Sequence, residues 1–264
     1  MKKRTFLKCI LAITMLCILF PMAVITVWSV TGRWPWPNLL PESWTLRTLE
    51  ELFFGSAKLP KLLGSSISLA AAVAALATVI SILTARATEF YDFPGKSFIR
   101  FSGMLPLLVP GTVFAMGIQL AMLKMGLADK IAGVVLVHLV CALPYCIAIM
   151  GDVTRAVGIR LEEQAQVLGA TPLRAFFAVT LPALLPGILS SMSMGFILSY
   201  SQYFTTLMVG GGRIKTIALV LVPYIQSGDR ALASAYSVAF AGSAMIVFFV
   251  FEALIKKLQR EGTA

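Results

Sequence analysis

Long apolar runs alternate with short charged clusters along the chain. Six of the runs reach the roughly 20 residues that carry an α-helix across a hydrocarbon core about 30 Å thick. They cover residues 5–30, 62–87, 102–123, 130–150, 183–209 and 234–255. A seventh apolar stretch, 217–225, is too short to span and contains Pro223; it is expected at the outer surface or partway into the bilayer. The first run follows Met1-Lys2-Lys3-Arg4 in the manner of a signal peptide. It is long for one, however, contains Pro21, and closes at Trp28-Ser29-Val30 with no small-x-small cleavage site, so it reads as an uncleaved signal anchor.

The polar segments set an orientation. With the N-terminus inside, the inner segments hold 13 Lys and Arg residues and the outer segments 9, a bias in the direction of the positive-inside rule. Six crossings return the C-terminus to the same side. The chain is thus expected to be a multi-pass protein of a cytoplasmic (inner) membrane with both termini cytoplasmic, and one membrane domain over residues 1–264. Composition agrees. Of 264 residues 58% are hydrophobic and 13% charged, against about 25% charged in soluble domains. The net charge of +10 lies in short clusters between apolar runs, which fits loops near anionic headgroups and argues against nucleic-acid binding. Cys9, Cys17, Cys141 and Cys146 lie in or beside apolar runs with no CxxC pair, and read as small buried apolar residues.

Local features assign places within the bundle. The second run carries Gly64, Ser65, Ser66, Ser68 and an alanine-rich stretch over 70–77, which allows close backbone approach and puts this helix at the centre. Pro106, Pro110 and Gly111 predict a kink in the third. After the first run, Trp34-Pro35-Trp36-Pro37 cannot form a regular helix. Residues 43–54 then place Leu46, Leu49, Leu52 and Phe53 at helical spacing, an amphipathic interfacial helix. In the fifth run Ser191, Gly195, Ser199, Gln202 and Thr206 fall on one face of a single helix. Such a stripe either lines a solvated path or packs closely on a neighbour. Its outer part (Ser199, Gln202 and Thr206, flanked by Tyr200 and Tyr203) is the candidate translocation path.

The segment 152–182, between the fourth and fifth runs, is the longest inner loop and does not read as a loop. Residues 153–168 hold no proline and end in Leu161-Glu162-Glu163-Gln164-Ala165-Gln166-Val167-Leu168; Gly169 follows where a left-handed C-terminal cap is expected. Thr171 can cap a second helix and Pro172 suits its first turn. The resulting helix–turn–helix is suited to docking another protein.

These residues also carry a family resemblance. Glu163-Gln164-Ala165, then Gly169, then Val179-x-Leu181-Pro182 resembles the "EAA" signature of inner-membrane permease subunits of binding-protein-dependent ABC importers. Gln164 stands for an alanine and Val179 for an isoleucine, with the spacing intact. The outer Trp-Thr-Leu segment at 44–46 and the start of the fifth run at 181–187 are similar as well. The resemblance implies an all-α type I importer half-pore of six transmembrane helices, with a cytoplasmic coupling helix between helices 4 and 5. It implies a second permease subunit, identical or related, a cytoplasmic ABC ATPase dimer and an extracytoplasmic solute-binding protein. The ATPase-coupling residues it implies are Glu162, Glu163, Ala165, Gly169, Thr171 and Pro172. The stretch from Gln202-Tyr203 through Gly210-Gly211-Gly212 is similar to permeases for polyamines, thiamine, ferric iron and phosphonates.

No chemistry of catalysis is legible. The nearest fragment of a phosphate-binding loop is Gly95-Lys96-Ser97, but Phe90 stands where its first glycine belongs. ATP hydrolysis must therefore come from a partner, and the chain is expected not to be an enzyme and to need no cofactor. His138, the single histidine, reads as a hydrogen-bonded packing residue rather than a ligand. Carboxylates are nearly absent from the helix centres, which weighs against an ion-coupled secondary transporter. A membrane assembly protein without an ATPase partner is the other alternative.

Overall fold

The computed structural model describes residues 2–35, 37–55 and 58–261. Trp36 of the tryptophan–proline repeat lies outside them, as do Met1 and residues 262–264 of the expected domain and the side chains of Lys2, Lys3, Arg4 and Arg260 counted for orientation. Among the described residues the elements are α1 (Lys2–Trp28), β1 (Thr31–Arg33), β2 (Ser43–Trp44), α2 (Arg47–Phe54), α3 (Leu59–Phe90), α4 (Lys96–Leu108), α5 (Gly111–Lys124), α6 (Ile131–Val157), α7 (Arg160–Val167), α8 (Pro172–Ala175), a π-helical turn (Phe176–Thr180), α9 (Leu181–Tyr200), α10 (Phe204–Gly210), α11 (Ile217–Ser227) and α12 (Arg230–Glu261).

Among the described residues, five helices are long and apolar enough to cross a membrane: Phe6–Trp28, Leu59–Phe90, Ile131–Val157, Pro172–Tyr200 and Arg230–Lys257. The expected third span is not one helix. It divides at Val109-Pro110 into α4 and α5, with Pro110 extended at φ −53°, ψ 131°. Proline offers no amide hydrogen and turns the residue before it away from helical geometry, so the expected kink is a full break. α5 has 14 residues, about 21 Å of helix, short of the hydrocarbon core by itself. The expected fifth span, 183–209, is also not continuous. It begins earlier, running unbroken from Pro172, and stops at Tyr200, resuming only at Phe204. The fourth extends to Val157, where Gly158 at φ +70° ends it.

The described residues form two compact units, Met1–Leu63 with Val220–Ser243, and Gly64–Leu219 with Ala244–Ala264. In the first, β1 and β2 pair antiparallel, Thr31 opposite Trp44. The strand takes residues 43–44 out of the expected amphipathic helix, and α2 starts at Arg47. Its buried residues are Thr48 and Leu52, while Leu46 and Phe53 stand exposed. The Thr48 hydroxyl donates to the Ser29 carbonyl. Trp28 meets Trp34 edge-on at 5.7 Å and carries the Arg230 guanidinium over its ring. Of the cysteines expected to be buried, Cys146 is, whereas Cys9 and Cys17 lie exposed on the apolar helix α1.

The second unit holds the core. One face of α3 is buried at Leu69, Ala70, Val73, Ala74, Ala77, Ser81 and Ala85, following helical periodicity. Three layers stack along it: Leu69 with Met122, Val134, Val137 and Val209; Val73 and Ala77 with Ala142 and Cys146; Ala85 with Met150 and Leu184. The small residues act as expected. The Cα side of Gly195 on α9 faces Ala74 and Cys146 so closely that a Cβ there would lie 3.2 Å from the Ala74 Cα. The Ser191 hydroxyl lies 3.2 Å from Thr78 Oγ1, hydroxyl to hydroxyl across the α3–α9 seam.

Candidate functional site

The signature segment starts from two glycines in the left-handed region, Gly158 (φ +70°) and Gly169 (φ +92°), which bracket the eight-residue α7. At its C-terminus the Ala170 amide donates to the Ala165 carbonyl at 3.0 Å and the Gly169 amide to Gln166 at 2.9 Å. These are the paired bonds of a Schellman cap, and only glycine adopts the required φ without strain. Thr171 then caps α8, its hydroxyl accepting the Arg174 amide at 3.4 Å, with Pro172 in the first turn. From Pro172 the backbone stays helical through the π turn into α9, so the helix after the glycine turn is the membrane helix itself.

The tip of this corner is apolar and open. Val167 and Leu168 are each 88% exposed and Leu173 72%. Glu163, Gln164 and Arg160 border the same recess as Val167 and Leu168. Exposed branched side chains at a corner rimmed by charge are what a protein-docking surface offers.

Glu162 and Glu163 part company. Successive helix positions differ by about 100°: Glu163 is exposed, whereas Glu162 is 3% exposed. The Glu162 carboxylate takes both arms of Arg86 on α3, Nη2 to Oε1 at 2.6 Å and Nη1 to Oε2 at 2.7 Å, and the Thr180 hydroxyl at 2.9 Å. The Arg86 guanidinium and the Thr180 hydroxyl hold the Glu162 carboxyl below its ordinary value, against the upward push of burial. A second ionic set lies near the same ends of α3 and α6, where Glu89 accepts from Arg155 at 2.9 and 3.1 Å and from Arg100 at 3.3 Å.

The residues of the candidate path are divided between two helices. Ser191 and Gly195 pack on α3. Ser199 and Thr206, 4% and 0% exposed, flank the helix break and meet on buried His138 of α6, each 2.9 Å from a ring nitrogen. The Thr206 hydroxyl also donates to the Gln202 carbonyl at 2.8 Å. It therefore accepts from Nε2–H, leaving Nδ1 to accept from Ser199. Gln202 and Tyr203 are half-buried in the break, where the Gln202 side chain accepts from Thr205 at 2.8 Å, and Tyr200 stacks on Phe196 at 5.3 Å. The single-helix face on which the stripe was drawn ends at Tyr200.

Sequence reasoning did not single out Arg86 or Thr180. Arg86 falls within the second apolar run, 62–87, and a cation there asks for a named partner.

A helical membrane bundle with this corner defines a class of transport subunit, and comparison with known proteins names the family. Residues 77–261 match the family "Binding-protein-dependent transport system inner membrane component", to which the chain belongs. It is 26% identical over 227 residues to the putrescine transport system permease protein PotI of Escherichia coli K12, covering 83% of this chain and 80% of that one. It is 29% identical over 215 residues to the molybdenum transport system permease protein ModB of Haemophilus influenzae, covering 74% and 94%. Among solved structures, a bacterial ABC transporter that imports the acidic polysaccharide alginate shares the fold, with a TM-score of 0.72 at 18% identity over 93% of this chain and 94% of that one. The chain is a membrane permease of an ABC transport system.

Proposed function

We propose that this chain, as one transmembrane domain, forms half of the translocation pathway of an importer. It would work with a second permease subunit, a cytoplasmic ABC ATPase dimer and an extracytoplasmic solute-binding protein. The observation that carries the reading is the signature corner: Val167 and Leu168 exposed at a left-handed glycine, with Glu163 beside them and the backbone helical without interruption from Pro172 through α9. ATPase closure pressing on this corner would tilt α9 directly. In this reading α4 and α5 together make the third of six crossings, and the corner faces the cytoplasm with both termini. Glu163, Ala165, Gly169, Thr171 and Pro172 shape the docking surface, and Glu162 holds it from behind. The break at 201–203 puts Gln202 and Tyr203 at the opposite end of α9, where they are the path residues that remain half-open.

The substrate class follows the stretch from Gln202 through Gly212: polyamine, thiamine, ferric iron or phosphonate. The putrescine permease relative agrees with the first of these, while the ModB relative names molybdenum. The test is reconstitution of the chain with an ABC ATPase and a solute-binding protein from the same organism. Uptake that requires ATP and the loaded binding protein is expected, and mass spectrometry of the ligand on that binding protein identifies the solute. Uptake driven by an ion gradient without the ATPase would establish a secondary transporter instead.

A further inference from the structure

The eight-residue α7 stands between two left-handed glycines, Gly158 and Gly169, and its buried residue is Glu162. A short helix on a protein surface is ordinarily anchored by an apolar side chain. Here Leu161 is 47% exposed, Val167 and Leu168 are more so, and the anchor is a carboxylate. Glycine turns at both ends leave the backbone free to pivot. What opposes the pivot is the forked pair: two parallel N–H···O bonds fix both the position and the plane of the carboxylate. The guanidinium that makes them is itself held on its faces, 5.1 Å from the Phe176 ring and 5.8 Å from the Phe90 ring. Phe176 opens the π turn and Thr180, the third partner of Glu162, closes it. One carboxylate thus ties α7 to the end of α3 and to the root of α9.

We propose that Arg86 and Glu162 are positioning residues for energy coupling, a latch that makes α7 move as one body with α3 and α9, so that force applied to the docking corner reaches the membrane helices without being lost in a pivot. This rests on the reading of the corner as the ATPase-docking surface. A buried ion pair is a poor source of stability compared with an apolar pair of similar volume, but it fixes direction. The two roles are therefore separable by experiment.

The decisive variant is the double replacement Arg86→Met with Glu162→Met, which leaves neither charge buried alone. It is expected to insert with Glu163, Val167 and Leu168 untouched, and copurification of the ATPase fixes the amount of complex against which import is counted. Solute imported per ATP hydrolysed should fall at least about fivefold, the low end of typical coupling between sites. A double variant with unchanged import per ATP overturns the latch. A second measurement needs neither residue altered. Spin labels at Leu83 and Gln166, in a chain with its four cysteines replaced, report the distance between α3 and α7 with the ATPase nucleotide-free and trapped closed. The latch predicts one narrow distance in both states; a displacement approaching one helical turn, about 5 Å, contradicts it. If the unaltered chain retains no ATPase at all, the docking reading itself fails. Normal docking with normal coupling in the double variant removes only the latch.

Discussion

At the scale of single residues, two glutamates adjacent in sequence have different surroundings and should respond differently to change. Glu162→Ala leaves the Arg86 guanidinium without its fork, and removing one member of a buried pair costs about 3 kcal/mol. A clear drop in the thermal midpoint of the detergent-purified chain is expected, whereas Glu163→Ala, at an exposed position, should leave that midpoint nearly unmoved. Equal midpoints would show that the Glu162 fork contributes nothing. Acid provides an independent check. Glu162 titrates below its ordinary 4.5 when folded, so its contribution is complete above that value and is lost as the pH falls through the lower folded value. Melting at about pH 5 should therefore retain the full Glu162 contribution relative to Glu162→Gln, with the gap narrowing only in stronger acid.

The elements show how far local sequence reaches. The left-handed turn at Gly169 and the cap at Thr171 were legible because each rests on one residue's backbone chemistry. The close packing of α3 was legible from its small residues, but the face it buries was not, because those residues run contiguously rather than at helical spacing. The break at Pro110 was legible in kind but not in degree, since proline guarantees a disruption without saying whether neighbours will bridge it. The stop at Tyr200 was not legible. Residues 201–203 contain neither proline nor glycine, and the break is fastened from a distant helix by His138, which lies between Ser199 before it and Thr206 after it. Gly158 was passed over because the residues on either side of it carry a helical pattern, so a single glycine did not read as a break. The latch escaped for a similar reason: Arg86 and Glu162 are 76 positions apart, and the preference of each for the other appears only once α3 and α7 are adjacent. His138→Ala should strand the Ser199 hydroxyl, at about 1–3 kcal/mol, while the Thr206 hydroxyl keeps its bond to the Gln202 carbonyl. A lowered thermal midpoint, with slower recovery on adding back Gln at this position than His, would show the clasp; an unchanged midpoint would show that the break holds itself. At the α3–α9 seam, Gly195→Leu places a branched side chain against the Ala74 backbone. Overpacking of about 1–3 kcal/mol should appear as poor recovery from the membrane, and normal recovery would mean that the seam opens readily.

For the whole molecule, family membership was readable from one short signature, whose glycine, threonine cap and proline hold defined places in one turn. The crossing number was harder, because hydropathy counts apolar length and does not see where a helix divides. Single cysteines at Gln166 and Arg213, both exposed, in a chain otherwise free of cysteine, should label from opposite sides of the membrane; labelling from one side would refute the six-crossing topology. The central claim is that the signature corner receives the ATPase. It is tested most directly by copurification of the ATPase with the unaltered chain, with Gly169→Val and with Glu163→Lys, each also assayed for ATP hydrolysis stimulated by the loaded binding protein. A β-branched residue at φ +92° is strained by about 1 kcal/mol or more, enough to shift docking several-fold without unfolding the bundle. Both variants should reach the membrane in normal amounts and lose retention or stimulation of the ATPase. Normal retention together with normal stimulation in both would contradict the account.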